Sequence, residues 1–314
     1  MSAPIAVPPE PSAPAAPPVL AEVVRSGFVE GRHRGSLVVL AADGSVARSL
    51  GEPGTPVFPR SSNKPMQAAG VLRAGLDLAG ERLALAAASH AGEDFHQELA
   101  LRMLDEAGLT EDALHCPPVD GRRIAMNCSG KHAAMLAACV ANGWPTATYT
   151  DPDHPLQLLI RDTAEAATGE PVAATGVDGC GAPLFAFSLT GLARAFRAFV
   201  RAAPGSPERR VADAMRAHPE YVGGTLRADS LLMRAVPGLL SKAGAEGVQA
   251  VALPDGRALA FKIEDGAARA RGPVLASLLR ALDVPLPDVP GLRASLRSDL
   301  DGGDGIVGEV RAVV

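Results

Sequence analysis

Two hydrophobic periodicities divide the chain. Residues 20–26 and 35–50 read as strands, the second folded back at "ADGS", where Asp43-Gly44 is a hairpin signal. Near the other end, "GVQAVALPDGRALAFKI" repeats the arrangement: a strand, a Pro-Asp-Gly turn, a second strand. The final "GEVRAVV" alternates like one more strand. Between these ends, residues 62–245 carry helical spacing, with patterns around 64–79, 94–107, 131–141, 155–167, 189–202 and 207–217. Strands at both termini with helices between them predict an α+β fold. An antiparallel sheet is assembled from the chain ends, a sheet lobe of about 20–60 and 242–314, flanked by helices and set beside a helical lobe of about 61–241. An active site is expected in the cleft between the lobes.

Composition narrows the classes. The 314 residues are 47% apolar and 21% charged, with a net charge of −5 and 4% aromatics. A mildly acidic chain without a basic stripe is not expected to bind nucleic acid. No apolar stretch approaches the roughly 20 residues that span a bilayer, so no membrane partner is expected. Residues 1–19, "MSAPIAVPPEPSAPAAPPV", lack a basic n-region and an apolar h-region. They read as a disordered or polyproline-like tail, and a cytoplasmic location is expected. In a reducing compartment the four cysteines are metal ligands, nucleophiles or inert. Cys116, before two prolines, and Cys139, among helical alanines, read as inert.

Three short stretches suggest chemistry. In "RSSNKP", Ser61 and Lys64 stand at i and i+3, on one face if a helix begins there. A neutral, desolvated lysine can take the proton of a serine hydroxyl and make it a nucleophile. With Ser62 as N-cap, Pro65 falls at N3, where its missing N–H breaks no helical bond. The plain alternative is an ordinary cap beside a solvated lysine. Serine-lysine acyl transferases also need a second hydroxyl and a second cation across the cleft. "ASHAGED" offers Ser89 and His90, and "SKAGAEG" offers Lys242 just before a predicted strand.

The thiols form a second group. In "NCSGKH", Cys128 and Lys131 are again at i and i+3, and "VDGCGAP" places Cys180 in a Gly-rich turn. Two thiolates far apart in sequence make half of a zinc site, though no C-x-x-C spacing is present. His132 is one possible third ligand; Lys131 is another, and coordinates only as a neutral amine. Both remain open, as does the reading of a buried thiol beside a helix-start lysine. In "VGGTLRADS", Arg227 and Asp229 are either contacts for a substrate carboxylate and amine or an ion pair at a helix start. Asp151, Asp153 and His154 read as a loop with a helix cap.

"RSSNKPMQ", "ASHAGEDFH", "NCSGKHAAML", "HPLQ", "VDGCGAPLFAFSLTGLARAF" and "KAGAEGV" together resemble the asparaginase II family of the rhizobial inducible type, from about residue 20 to the C-terminus. The resemblance implies hydrolysis of L-asparagine to L-aspartate and ammonia, on a fold similar to serine β-lactamases and glutaminases. It implies a nucleophilic Ser61 with Lys64, and a second pair on Ser89 and Lys242, for which Lys262 in "AFKIED" competes. It also implies Zn2+ held by Cys128, Lys131 and Cys180, with Asp178 beside the ligands. Arg227, Asp229, His90 and Asp178 are the candidate substrate contacts, and a homodimer is expected. The competing functions are a glutaminase or other amidase of the same fold, and a zinc-stabilised binding protein without catalysis.

Overall fold

The computed structural model describes residues 16–314. Most of the expected tail lies outside the described residues, but its last part is docked. Pro17 and Pro18 carbonyls accept from Arg34 Nη1 and Gly35 N, and the first strand already begins at Val19.

The strands are β1 (Val19–Arg25), β2 (Phe28–Leu40), β3 (Val46–Leu50), β4 (Pro56–Val57), β5 (Ala174–Val177), β6 (Pro183–Ser188), β7 (Leu240–Ala243), β8 (Val248–Ala252), β9 (Ala258–Ile263), β10 (Asp299–Gly302) and β11 (Gly305–Ala312). The main sheet is antiparallel, in the order β10-β11-β1-β2-β9-β8-β7, with β3 also paired to β2. It is assembled from both chain ends, as the periodicity predicts. Strand β2 is the hinge of this assembly: residues 28–34 pair with β1 and residues 35–40 with β9. Gly35 permits the change of partner, since a Cβ there would lie 2.1 Å from the Lys262 carbonyl oxygen.

The six expected helices are present, as Lys64–Arg73, Asp94–Glu106, Ser129–Ala141, Pro155–Thr168, Leu189–Arg201 and Pro207–Ala217. The first is shorter than expected, closing before Gly75 at φ +88°. Strands β7 and β10, a small β4-β6-β5 sheet and the helices Gly80–Ala86, Pro219–Gly223, Ala228–Ala235, Ala268–Ala281 and Pro290–Ser295 are additions to the expectation. Residues 268–281 hid theirs behind Gly272-Pro273, which reads as a break. β6 is a continuous apolar run, which periodicity alone does not assign.

Every residue of β8 is buried, so both faces of the sheet centre are covered. Helices Leu189–Arg201 and Ala268–Ala281 pack against it. Helix Lys64–Arg73 is buried from Lys64 to Leu72 and packs against helices Pro155–Thr168, Pro207–Ala217 and Ser129–Ala141. Its N-terminus therefore opens in the middle of the molecule. Among the described residues, no helix is long and apolar enough to cross a membrane.

Candidate active site

A tight 3-10 turn, Arg60–Asn63, feeds helix Lys64–Arg73. Ser62 is not the N-cap: its Oγ donates back to the Pro59 carbonyl at 2.7 Å, and Pro65 falls in the first turn of the helix. Ser61 faces a cavity of about 410 Å³, whose wall also includes Ser89, Asn127, Arg227, Asp229, Lys242, Ala245 and Arg271. The cavity lies where the end of β7 meets the helical half.

Lys64 is buried behind this wall. Its Nζ donates to Ser89 Oγ at 2.7 Å and to Cys128 Sγ at 2.8 Å. The local spacing pairs Lys64 with Ser61; its hydrogen bonds go instead to the second serine and to the thiol cluster. Serine, lysine and thiol thus form one connected buried chain, joining two motifs that the sequence presents separately.

Lys242 sits on β7, buried, with Nζ donating to the Ala243 carbonyl at 2.8 Å. Burial brings its pKa down to about 7; nearby Lys64, Arg227 and Arg271 push the same way and Asp229 opposes them. Lys262 occupies a different groove, lined by Phe58, Arg60 and Glu246, and donates to the Glu246 carbonyl at 2.7 Å. Of the two competing lysines, Lys242 is the one at the cavity.

Three of the four expected substrate contacts, Asp229, His90 and Asp178, are engaged inside the protein. Asp229 accepts from Ser241 Oγ at 2.6 Å, Ala243 N at 2.8 Å and Gln249 Nε2 at 3.1 Å. Burial alone would raise its pKa, but Lys242 and these three donors outweigh it, and the carboxyl is held below its ordinary value. Asp229 ties its helix to β7 and β8, and no Arg227–Asp229 ion pair forms among the described residues. His90 is fully buried: Nε2 meets Ser129 Oγ at 3.1 Å, Nδ1 accepts from Gly92 N, and the ring stacks on His96 at 4.7 Å. Burial, with His96 and Lys64 nearby, holds it neutral. It braces the Ser89 loop and does not reach the cavity wall.

Arg227 lines the cavity mouth, with Nη1 3.4 Å from the Ser89 carbonyl. Asp178 accepts from Arg60 Nε at 2.9 Å and from Gly179 N at 2.9 Å. Arg60, at φ +52°, precedes Ser61, so Asp178 fastens the serine turn to the Cys180 loop. Arg60 stands next to the serine in "RSSNKP", but only the fold shows that it pairs with Asp178. Arg271 and Asn127 carried no signal, since only tertiary packing brings them to the cavity.

Cys128 ends the loop before helix Ser129–Ala141, and Lys131 and His132 lie in its first turn, all buried. Lys131 Nζ donates to Cys180 Sγ at 3.1 Å. The adjacent Cys128 thiol, with Lys131 and His132, overcomes burial and holds Cys180 far below the usual thiol range, as a thiolate. The Cys180 charge, together with burial, drives Cys128 well above that range. Lys131 is raised despite its burial, because Cys180, Cys128 and Asp178 favour its charged form. Burial brings His132 down to about 4. Cys116 and Cys139 are both buried thiols pushed up to about 11, in line with an inert role.

This cluster has the donor chemistry of a zinc site. It holds two sulfurs and an amine, and a buried imidazole nitrogen, His132 Nε2, that has no hydrogen-bond partner. Tyr149 OH fixes that ring through Nδ1 at 2.6 Å, as an outer partner fixes a ligating histidine. Among the described residues, no three of His, Cys, Asp and Glu gather as a metal site, so a third ligand to the two sulfurs requires Lys131, or movement of His132. With Lys131 as third ligand, the donor set suits zinc only if that amine gives up the proton that Cys180, Cys128 and Asp178 favour.

Several solved structures are similar to the chain at low identity. A β-lactamase (Mb2281c) from Mycobacterium bovis is 12% identical, covering 79% of this chain and 94% of that chain at a TM-score of 0.43. A Bacillus glutaminase crystallised in 4.3 M NaCl is 12% identical, covering 80% and 91% at 0.46. Mglu in its native form is 14% identical, covering 82% of this chain but only 66% of that chain at 0.46. The comparison with curated proteins found no match. The family model described as L-asparaginase II matches residues 21–312, from within β1 to the end of β11. With that match, the chain belongs to the L-asparaginase II family and is an amidohydrolase.

Proposed function

We propose that the chain hydrolyses the side-chain amide of L-asparagine to L-aspartate and ammonia through an acyl-enzyme on Ser61. One observation carries this reading: Ser61, Ser89 and Lys242 meet on a single cavity, with Lys64 bonded to Ser89 directly behind it. A binding module has no use for two serines and two buried lysines arranged in this way.

Ser61 Oγ attacks the amide carbon and its proton passes into the Lys64–Ser89 pair. The same pair returns a proton to the leaving nitrogen as the C–N bond breaks, and ammonia departs. Water then cleaves the ester, and the proton it gives up restores the Ser61 hydroxyl. Lys242, brought to about 7 by burial, serves Ser89 as a second base near neutral pH. The oxyanion needs donors that are not already engaged. Among the described residues, the backbone N–H groups of Ser61 and Ala245, both at the cavity, donate to no protein acceptor. Cys128, Cys180 and Lys131, or His132 in its place, would hold zinc, which supplies a fixed positive charge beside Lys64.

The test is ammonia release by purified protein, run side by side on L-asparagine and L-glutamine. One methylene is worth only about 1–3 kcal/mol in a pocket, so asparagine should lead by a modest factor. Ser61→Ala should lose turnover at least about 1,000-fold while unfolding at the wild-type temperature. Substantial activity in that variant moves the nucleophile to Ser89.

A further inference from the structure

The cavity is unequal in charge. Arg227, Lys242 and Arg271 line it from three different segments, and none of them forms an ion pair across less than 4 Å with a carboxylate among the described residues. The single carboxylate on the wall, Asp229, already accepts three hydrogen bonds from Ser241, Ala243 and Gln249. Arg271 reaches the cavity from helix Ala268–Ala281, half-buried, and is steadied by one bond from Nη1 to the Gly244 carbonyl at 3.2 Å. A guanidinium offers five donors, so one bond leaves a fork free for a carboxylate. Lys242 feels both arginines, which places all three cations within mutual electrostatic reach.

We propose that Arg271, together with Arg227, is the anchor for the substrate's carboxylate, and that Asp229, the one carboxylate on the wall, is committed to its three donors and does not anchor the α-amine. This rests on the amidase reading and narrows its substrate class to monoamides of short dicarboxylic acids, with or without an amine. Binding energy is then drawn from the carboxylate at one end of the substrate and spent in positioning the amide at Ser61 at the other. The product, with two carboxylates, fits the same cations and is expected to inhibit.

Two analogues separate the groups. Succinamate is the asparagine skeleton without its amine, and β-alaninamide is the same skeleton without its carboxylate. Ammonia release by the wild-type protein should give succinamate a kcat/KM within tenfold of L-asparagine, and β-alaninamide one at least tenfold lower. Arg271→Ala should lose about 10- to 100-fold on both carboxylate substrates, chiefly through KM, and the preference for succinamate over β-alaninamide should collapse. Arg271→Lys should recover part of the loss, which a purely structural role for the Gly244 contact would not predict. A tenfold or greater deficit on succinamate, or an intact carboxylate preference in Arg271→Ala, overturns the proposal. If the wild-type protein releases no ammonia from any of the three, the amidase reading has failed by itself. Calorimetric titration with succinate then still tests the anchor: wild-type binding weakened at least tenfold in Arg271→Ala supports it, and equal binding, or none to wild type, rejects it.

Discussion

Lys64 joins the two chemical halves of the protein, with Ser89 Oγ at 2.7 Å on one side and Cys128 Sγ at 2.8 Å on the other. Lys64→Arg keeps the charge, yet a guanidinium does not deprotonate at workable pH and is too large for the buried slot. Turnover should fall by at least about 100-fold, with a stability loss of about 1–3 kcal/mol from overpacking. Wild-type rates in steady-state assays of that variant would leave Lys64 as an electrostatic partner only. Lys242 makes a different prediction, in pH. Its folded pKa of about 7 lies below the ordinary 10.5, so between those values the unfolded chain holds a proton that the folded chain lacks. Stability from this group therefore rises with pH across that window, and its burial penalty is greatest below about 7. Melting temperatures followed from pH 6 to 10 should show this rise in wild type and a flatter course in Lys242→Met. The same slope in both proteins would place the titration elsewhere.

Among the elements, the end of β7 and the turn before helix Lys64–Arg73 form the tightest seam of the site. Gly244 N donates to Val248 O at 2.9 Å, and a Cβ on Gly244 would lie 2.3 Å from the Pro59 carbonyl oxygen. Any side chain there must push β7, with Lys242 and Ala245, away from Ser61. Gly244→Ala is expected to cost about 1–3 kcal/mol in denaturant unfolding. It should also lower kcat/KM at least about tenfold through widened catalytic distances. A variant with wild-type stability and kinetics would show that the seam yields freely. The neighbouring β8-β9 hairpin was legible from its Pro-Asp-Gly turn, whereas β7 was not. Helix Ala268–Ala281, which delivers Arg271, was not, because Gly272-Pro273 masks a helix that only packing on the sheet sustains.

At the scale of the whole molecule, the thiol cluster links segments distant in sequence: Cys128 at a helix start, and Cys180 between β5 and β6. An ion bound there holds the helical half to the small sheet and stabilises the folded state in proportion to its free concentration. Metal analysis should find about one zinc per chain in wild type and none in Cys128→Ser or Cys180→Ser, and chelation should lower the wild-type melting temperature. Full occupancy in either variant would remove the site. If His132→Ala loses the metal and Lys131→Ala retains it, the imidazole is the third ligand.

What the sequence determined by itself was whatever depends on near neighbours. The period-2 runs and turn residues at both ends specified the hairpins, helical spacing specified six helices, and the motifs supplied both serines, both lysines and both thiols. The loop through Asp151, Asp153 and His154 was legible as one that caps a helix, and the cap is His154, whose Nδ1 accepts from Leu156 N at 3.1 Å. Which partner each side chain takes was decided by tertiary packing. Spacing set Lys64 beside Ser61, but the buried amine turned to Ser89 and Cys128. Asp229, open to a substrate on sequence alone, became a clamp between its helix and the sheet, and Asp178 became the clasp of Arg60. Arg271 was silent in sequence and entered the cavity only through the docking of its helix. The division has one physical cause: periodicity and turn chemistry act over a few residues, whereas a buried polar group must take whatever partner the folded core brings to it.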